Sequence, residues 1–245
     1  RGRTILIPAA LLLGLASGFI SGIAAGGGMI AIPGMIFMGL SPSTAIATNI
    51  LITASSVSSG FRYHQSKIIQ RQYTIPFLWL SFLGGIVGSK LLLRIDGQTM
   101  QQIFGMMCLC LAPFVAFKRN SIAKNHGKIS SFIGLVLIFM TCVFAALFGT
   151  GGGIFMVYIL SYFYGMSIME ANANAKIISL GGALSMIVIF LHAGIINFTA
   201  GIPLMIGSAI GGYIGAHTAL KRGEKIVKTV FFLVVVVSGL KLLLF

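Results

Sequence analysis

Acidic residues are nearly absent from this chain. Three Asp or Glu stand against 17 Lys or Arg in 245 residues, and only 8% of the chain is charged. An ordinary soluble domain is about one-quarter charged. With 57% hydrophobic residues, the chain has too little polar surface for a soluble fold of this length. A soluble enzyme or nucleic-acid binder is excluded, although a net charge of +14 on a soluble domain would suggest nucleic acid. So few carboxylates leave acid–base catalysis and ATP hydrolysis without their usual groups. Carboxylate-rich cation sites are disfavoured for the same reason. No GxSxG, HExxH or P-loop pattern occurs, so no enzyme activity and no cofactor are expected. Cysteine is scarce too. Cys108, Cys110 and Cys142 lie inside apolar runs with no His or carboxylate at ligand spacing, which predicts neither a disulfide framework nor a metal site. The chain opens on Arg1 rather than Met, so its native start is expected upstream.

What the chain has is long apolar runs, which predict an all-α integral membrane protein. Gly, Pro and charge divide them into 4–25, 28–40, 43–61, 74–93, 98–117, 129–149, 154–165, 168–192, 201–219 and 226–245. Segments 28–40 and 154–165 are short for a bilayer crossing, and each follows three glycines, Gly26-Gly27-Gly28 and Gly151-Gly152-Gly153. The two halves repeat. Gly39-Leu40-Ser41 recurs as Gly165-Met166-Ser167, His64 as His192, and Ile75-Pro76 as Ile202-Pro203. The glycine cluster at Gly84, Gly85 and Gly88 recurs at Gly211, Gly212 and Gly215. We therefore expect one polytopic domain over 1–245, with repeats at about 4–117 and 129–245 and a basic linker over 118–128. Each half has about five membrane-embedded segments. An odd number of crossings per half makes an inverted repeat. It also puts loops 62–71, 118–128 and 217–228, with eleven of the Lys and Arg, on one side, as the positive-inside rule prefers.

The four-residue stripes Gly14-Gly18-Gly22-Gly26, Gly207-Gly211-Gly215 and Ala145-Gly149-Gly153 predict close helix packing. The triple glycines predict something else. Three in succession cost roughly 1 kcal/mol each in a helix, and irregular backbone at membrane depth persists only where protein or a water-filled cavity covers it. The short helix after each run would aim its N-terminal N–H groups at the break. Two such breaks, broken or re-entrant near the midplane, predict an anion site built from the backbone of Gly26, Gly27, Gly28 and Met29 and of Gly151, Gly152, Gly153 and Ile154.

These residues resemble the sulfite exporter TauE/SafE family of membrane transporters. The likeness rests on Ala24 to Met35 (AAGGGMIAIPGM), Leu40 to Asn49 (LSPSTAIATN), Phe148 to Gly153 (FGTGGG), Met166-Ser167 and Glu170 to Lys176 (EANANAK), and on Gly84 to Gly88 with its copy Gly211 to Gly215. It covers nearly the whole chain. It departs from internal symmetry at Tyr158, where the first copy has Pro33. The resemblance implies transport of a small anion, often a sulfur oxyanion or organosulfonate, coupled to an ion gradient.

Lys176 is the sharpest single residue. It lies well inside the apolar segment 168–192, where a charge costs at least ~2.5–3.5 kcal/mol on insertion scales. Asn172, four residues earlier, shares its helix face. We expect Lys176 and Asn172 to meet the anion's charge, and Thr48, Asn49 and Asn174 to line the pathway; Thr48 and Asn49 are the first-half counterparts of Asn174 and Ala175. Ser55, Ser56, Ser58 and Ser59 are assigned to packing. Glu170, in the first turn of that helix, is either a carboxylate favoured by the helix dipole or a proton carrier for coupling. His64 and His192 fit interfacial positions, as do Trp79 and Tyr162 or Tyr164. No role is assigned to His126 or His217. The leading expectation is a secondary transporter of a small anion in the bacterial inner membrane, with the bilayer and the anion as partners and no nucleic acid. A passive channel and a non-transporting membrane subunit are the competing readings.

Overall fold

The computed structural model describes residues 2–24, 26–65, 68–116, 128–150 and 152–222. Among these residues the fold is helical throughout, without strands. The helices are α1 (Gly2–Ala24), α2 (Gly28–Phe37), α3 (Pro42–Asn49), α4 (Thr53–Gln65), α5 (Arg71–Leu92), α6 (Gly97–Ala116), α7 (Lys128–Phe148), α8 (Gly152–Tyr164), α9 (Ile168–His192) and α10 (Phe198–Arg222). The expected single run 43–61 is instead two helices joined by a 3-10 turn, Ile50–Ile52. The apolar segment 226–245 and the linker residues 118–127 lie outside the described residues.

Among the described residues three helices are long and apolar enough to cross a membrane: Arg71–Leu92, Met169–His192 and Phe198–Lys221. Shorter apolar helices include Ile7–Ile23 and Phe132–Phe148. The outer surface carries large apolar side chains such as Trp79, Phe132 and Val188, the last 68% exposed. In a soluble protein so much exposed apolar surface would mark interaction sites or aggregation. Here it is the face a bilayer covers, and the chain is an integral membrane protein.

The interior is held by backbone approach. Helix α1 lies along α10. A Cβ on Gly14, Gly18 or Gly22 would strike the backbone at Leu204, Ser208 or Gly212, and one on Gly207, Gly211 or Gly215 would strike the carbonyl of Leu11, Leu15 or Phe19. Small residues on both faces let the two helices meet backbone to backbone, as the first two stripes predicted. The third stripe behaves differently. Helix α7 stops at Phe148 and Gly149 has φ +67°, so Ala145, Gly149 and Gly153 do not run along one helix.

The packing repeats with the halves exchanged. Helix α1 packs on α10 as α7 packs on α5, and α5 packs on α9 as α10 packs on α4. A Cβ on Gly84 would sit 2.6 Å from Cys142 Cβ, and the contact of Gly211 with Leu15 is its counterpart. The Gly-x-Ser pairs also act alike. Gly39 (φ +94°) and Gly165 (φ +66°) follow the ends of α2 and α8 in a conformation that favours glycine. Ser41 and Ser167 then cap α3 and α9, accepting from the amides of Thr44 and Glu170 at 3.3 Å each. Glu170 closes a capping box by accepting from the Ser167 amide at 2.8 Å.

Candidate functional site

Ending a helix inside the protein leaves its last carbonyls without intrahelical donors. Where no water can reach, each unpaired group is costly. The end of α1 shows how this chain meets that demand. Lys176 on α9 donates through Nζ to the Ser21 carbonyl, and to Ser21 Oγ at 3.0 Å. Tyr63 on α4 donates through Oη to the Gly22 carbonyl at 2.8 Å. Asn172 on α9 donates through Nδ2 to the Ile23 carbonyl at 3.3 Å and to Tyr63 Oη at 3.2 Å. Three consecutive carbonyls therefore receive three buried side chains from two other helices. The cation stands at the negative end of the α1 dipole, where a positive charge is favoured. Lys176 is only 3% exposed, so it does not snorkel to an interface. It has no carboxylate partner among the described residues.

The second break is closed with less. Asn49, at the end of α3, donates through Nδ2 to the Gly149 carbonyl at 2.6 Å. A Cβ on Gly28 would meet Thr150 Oγ1 at 2.7 Å and Asn49 Nδ2 at 2.8 Å. Glycine there lets the first break, Asn49 and the second break come together.

Between them lies a cavity of about 150 Å³. By the same measure one water needs ~10–15 Å³, so the space holds a small solute. The start of α2 contributes Gly27 and Gly28, and the start of α8 contributes Gly152 and Gly153. Gly149, Thr150, Asn49 and Lys176 also line it. The Met29 and Ile30 amides return to the Gly26 and Gly27 carbonyls at 3.1 Å, so these two are spent within the first turn of α2. Both helix N-termini and an unpaired cation thus open on one small space, an arrangement that suits a negative charge.

Of the residues expected at the site, the structure brings Gly27, Gly28, Asn49, Gly152, Gly153 and Lys176 to the cavity. Gly151 lies outside the described residues. Gly26, Met29, Ile154, Thr48, Asn172 and Asn174 are not in its lining. Met29 and Ile154 are fully buried in the apolar core. Thr48 Oγ1 accepts from the Asn197 amide at 2.9 Å, just before α10. Asn174 Oδ1 accepts from the Gln70 amide at 2.9 Å, just before α5. These two bonds are counterparts in the two halves. They tether the chain where α10 and α5 begin, which explains polar residues at both positions without a ligand. Glu170 is committed to its cap and also accepts from Gln70 Nε2 at 3.4 Å.

Sequence reasoning missed Ser21, Thr53, Ser56, Ser81, Thr141, Cys142, Thr150 and Ser179, all of which line the cavity. Ser56, expected in packing, is thus a lining residue. Single hydroxyls in apolar runs carry no signal that separates lining from helix contact. Outside the site, His192 and Trp79 are exposed. Tyr164 packs edge-on against Tyr73 and Phe77, with ring centroids 5.2 and 5.0 Å apart. The side chains of His64, Cys108 and Cys110 lie outside the described residues. Among the described residues no three His, Cys, Asp or Glu gather as a metal group would require.

Comparison with known proteins settles the family. The model described as "Sulfite exporter TauE/SafE" matches residues 10–242. The chain belongs to the TauE/SafE family. Among its relatives is a "Probable membrane transporter protein ORF9" of Sinorhizobium, 26% identical over 93% of this chain and 88% of the relative. Another is the "Probable membrane transporter protein YfcA" of Escherichia coli K12, 23% identical over 98% of this chain and 90% of the relative. A "Probable membrane transporter protein" of Haemophilus influenzae is 26% identical over 88% of this chain and 86% of the relative. No solved structure matches the chain. A TauE/SafE protein is a membrane transporter and not an enzyme.

Proposed function

We propose that this TauE/SafE protein is a secondary transporter of a small anion, bound in the cavity between the two helix breaks. One observation carries the reading. The starts of α2 and α8 and the carboxylate-free Lys176 line the same 150 Å³ space. Backbone amides at helix starts and a buried ammonium are both donors and both favour negative charge. The family's name points to sulfite, and other sulfur oxyanions and small organosulfonates have the same charge and hydrogen-bonding needs.

The transport cycle we propose is alternating access of one half of a single polytopic domain against the other. The exchanged packing of α1, α10, α7 and α5 supports duplicated halves, of five segments each once 226–245 is counted. The loop charges favour inversion between them, and the bacterial inner membrane is the proposed location. Proton coupling completes the proposal. Glu170 is its candidate carrier, as the only carboxylate in a helix of membrane-spanning length among the described residues. Its place in a capping box gives it a structural duty that a carrier would have to leave.

Purified protein in proteoliposomes tests the reading. Saturable uptake of sulfite or an organosulfonate, driven by an imposed gradient, is the expected result. Single-channel conductance would overturn it in favour of a pore, and absence of any anion movement would favour a non-transporting subunit.

A further inference from the structure

Alternating access needs two bodies that move against each other. The sequence offers one division, at the linker 118–128. The packing offers another. Helices α1 and α4 pack on α10, and α2 packs on α1 and α3. Helices α7 and α9 pack on α5, and α8 packs on α7 and α9. Rocking the stretch before the linker against the stretch after it would have to part α10 from α1 and α4, and α5 from α7 and α9.

These are the contacts least able to part or slide. Along α1 and α10 backbone meets backbone. Around α5 the same holds: a Cβ on Gly88 would strike the Val143 carbonyl of α7, and one on Gly181 of α9 would strike the Leu78 carbonyl. Surfaces meshed this closely lose their packing outright when a gap opens. The helix starts are fixed as well. The Asn197 amide, just before α10, donates to Thr48 of α3, and the Gln70 amide, just before α5, donates to Asn174 of α9. Each exchanged helix is tied at its start to the bundle it joins.

Contact between the two bundles is of another kind. Where α4 faces α9, a Cβ on Gly60 would meet the side-chain end of Ile177, Cδ1, at 3.0 Å. The apolar core crosses here through side chains too, with Ile32 and Ile46 set against Gly149. The polar links are side chains reaching single carbonyls: Lys176 to Ser21, Asn172 to Ile23 and Asn49 to Gly149. Side-chain contacts of this sort can repack in a sliding motion. The cavity lies on the same seam. Ser21, Gly28 and Asn49 line it from one bundle, and Cys142, Gly152 and Lys176 from the other. Between α9 and α10 the chain crosses from one bundle to the other at 193–197, where Gly194 has φ +66°, and short loops of this kind absorb hinge rotation.

We propose that the bodies that move in transport are these two bundles, α1 to α4 with α10 and α5 with α7 to α9. Each moving half has traded one long helix with the other, α5 for α10. This rests on the alternating-access reading above and adds which helices travel together.

Two cysteine pairs test it, each joining a residue before the linker to one after it. Gly60→Cys/Ile177→Cys crosses the seam. Leu51→Cys/Gly201→Cys lies inside the first bundle, where a Cβ on Gly201 would meet Leu51 Cδ1 at 2.5 Å. Both are placed in the full chain with Cys108, Cys110 and Cys142 replaced by Ala. Uptake of 2-hydroxyethanesulfonate and of sulfate into proteoliposomes is compared between the oxidised and reduced forms of each pair. Oxidation should lower uptake at least tenfold in the seam pair, because the conformational step is then blocked, and less than twofold in the pair inside the bundle. Equal loss in both pairs overturns the inference in favour of the sequence halves, and full uptake by the oxidised seam pair overturns it as well. If a pair does not fold or oxidise, spin labels on exposed positions decide. Saturating anion should shift the Phe61–Val188 distance, across the seam, and leave Leu12–Ile210, within one bundle, unchanged. A shift in Leu12–Ile210, or none in Phe61–Val188, overturns the inference. If the wild type moves neither anion, the transport reading fails and takes this inference with it.

Discussion

Lys176, on α9, caps the last turn of α1: its ammonium donates to the carbonyl and the hydroxyl of Ser21. The same residue lines the cavity between the helix breaks. An ammonium has three hydrogens, and Ser21 takes two. In the proposed site the third serves the anion, and one side chain would then join the ligand to the end of α1.

Removing that cation should therefore weaken both ligand binding and the fold. Hydrogen bonds to charged groups contribute about 1.5–3 kcal/mol, so Lys176→Met is expected to weaken anion binding by ten- to a hundredfold. It should also lower thermal stability, because the Ser21 carbonyl loses its donor. Ser21→Ala keeps the charge and one bond, and should retain most binding. Isothermal titration beside thermal unfolding checks both variants.

Gly28 is the point where the breaks touch. Gly28→Ala would press a methyl group to within 2.6 Å of Thr150 Cβ. Overpacking of this kind costs typically 1–3 kcal/mol, so the thermal midpoint should fall and transport with it. Removing the neighbour's side chain in Gly28→Ala/Thr150→Gly should recover part of the stability, although Asn49 Nδ2, 2.8 Å away, still crowds the new methyl.

Cys142 offers a reporter inside the cavity, where it lies beside Ser81. In a Cys108→Ala/Cys110→Ala background, Cys142, only 6% exposed, should label slowly with a small methanethiosulfonate reagent, and saturating 2-hydroxyethanesulfonate, which does not react with the reagent, should slow labelling at least threefold further. Labelling that ignores every transported anion would place the substrate elsewhere.

The α1–α10 contact tolerates no side chain. Gly18→Leu or Gly211→Leu should abolish the folded protein, since each would drive into backbone of the partner helix. Val188→Leu, on the exposed face, should leave stability within about 0.5 kcal/mol. Size-exclusion profiles in detergent separate the two outcomes.

Much of this architecture was legible because membrane sequences punctuate themselves. Apolar runs ended by Gly, Pro or charge marked the helices to within a few residues, and Gly39-Leu40-Ser41 with its copy marked two helix stops and starts. Lys176 stood out because a cation deep in an apolar run needs a partner. Its partner stayed hidden, because the Ser21 carbonyl belongs to the backbone and leaves no mark in sequence. Thr48 and Asn174 hid their partners in the same way. They serve the amides of Asn197 and Gln70, residues far along the chain that only the fold brings near. Asn49 was singled out as a site residue, whereas its bond to the Gly149 carbonyl shows only once the fold brings the second break to it. The break in 43–61 was not readable either, since Ile50-Leu51-Ile52 is as apolar as the helices it joins.

The central claim is that a small anion binds where α2, α8 and Lys176 meet. Equilibrium binding of sulfite and small organosulfonates to the purified protein, wild type beside Lys176→Met, tests it most directly. The account predicts saturable binding that is lost or weakened at least tenfold in the variant. Binding of undiminished affinity in a folded Lys176→Met protein, or no binding of any anion to the wild type, would contradict it.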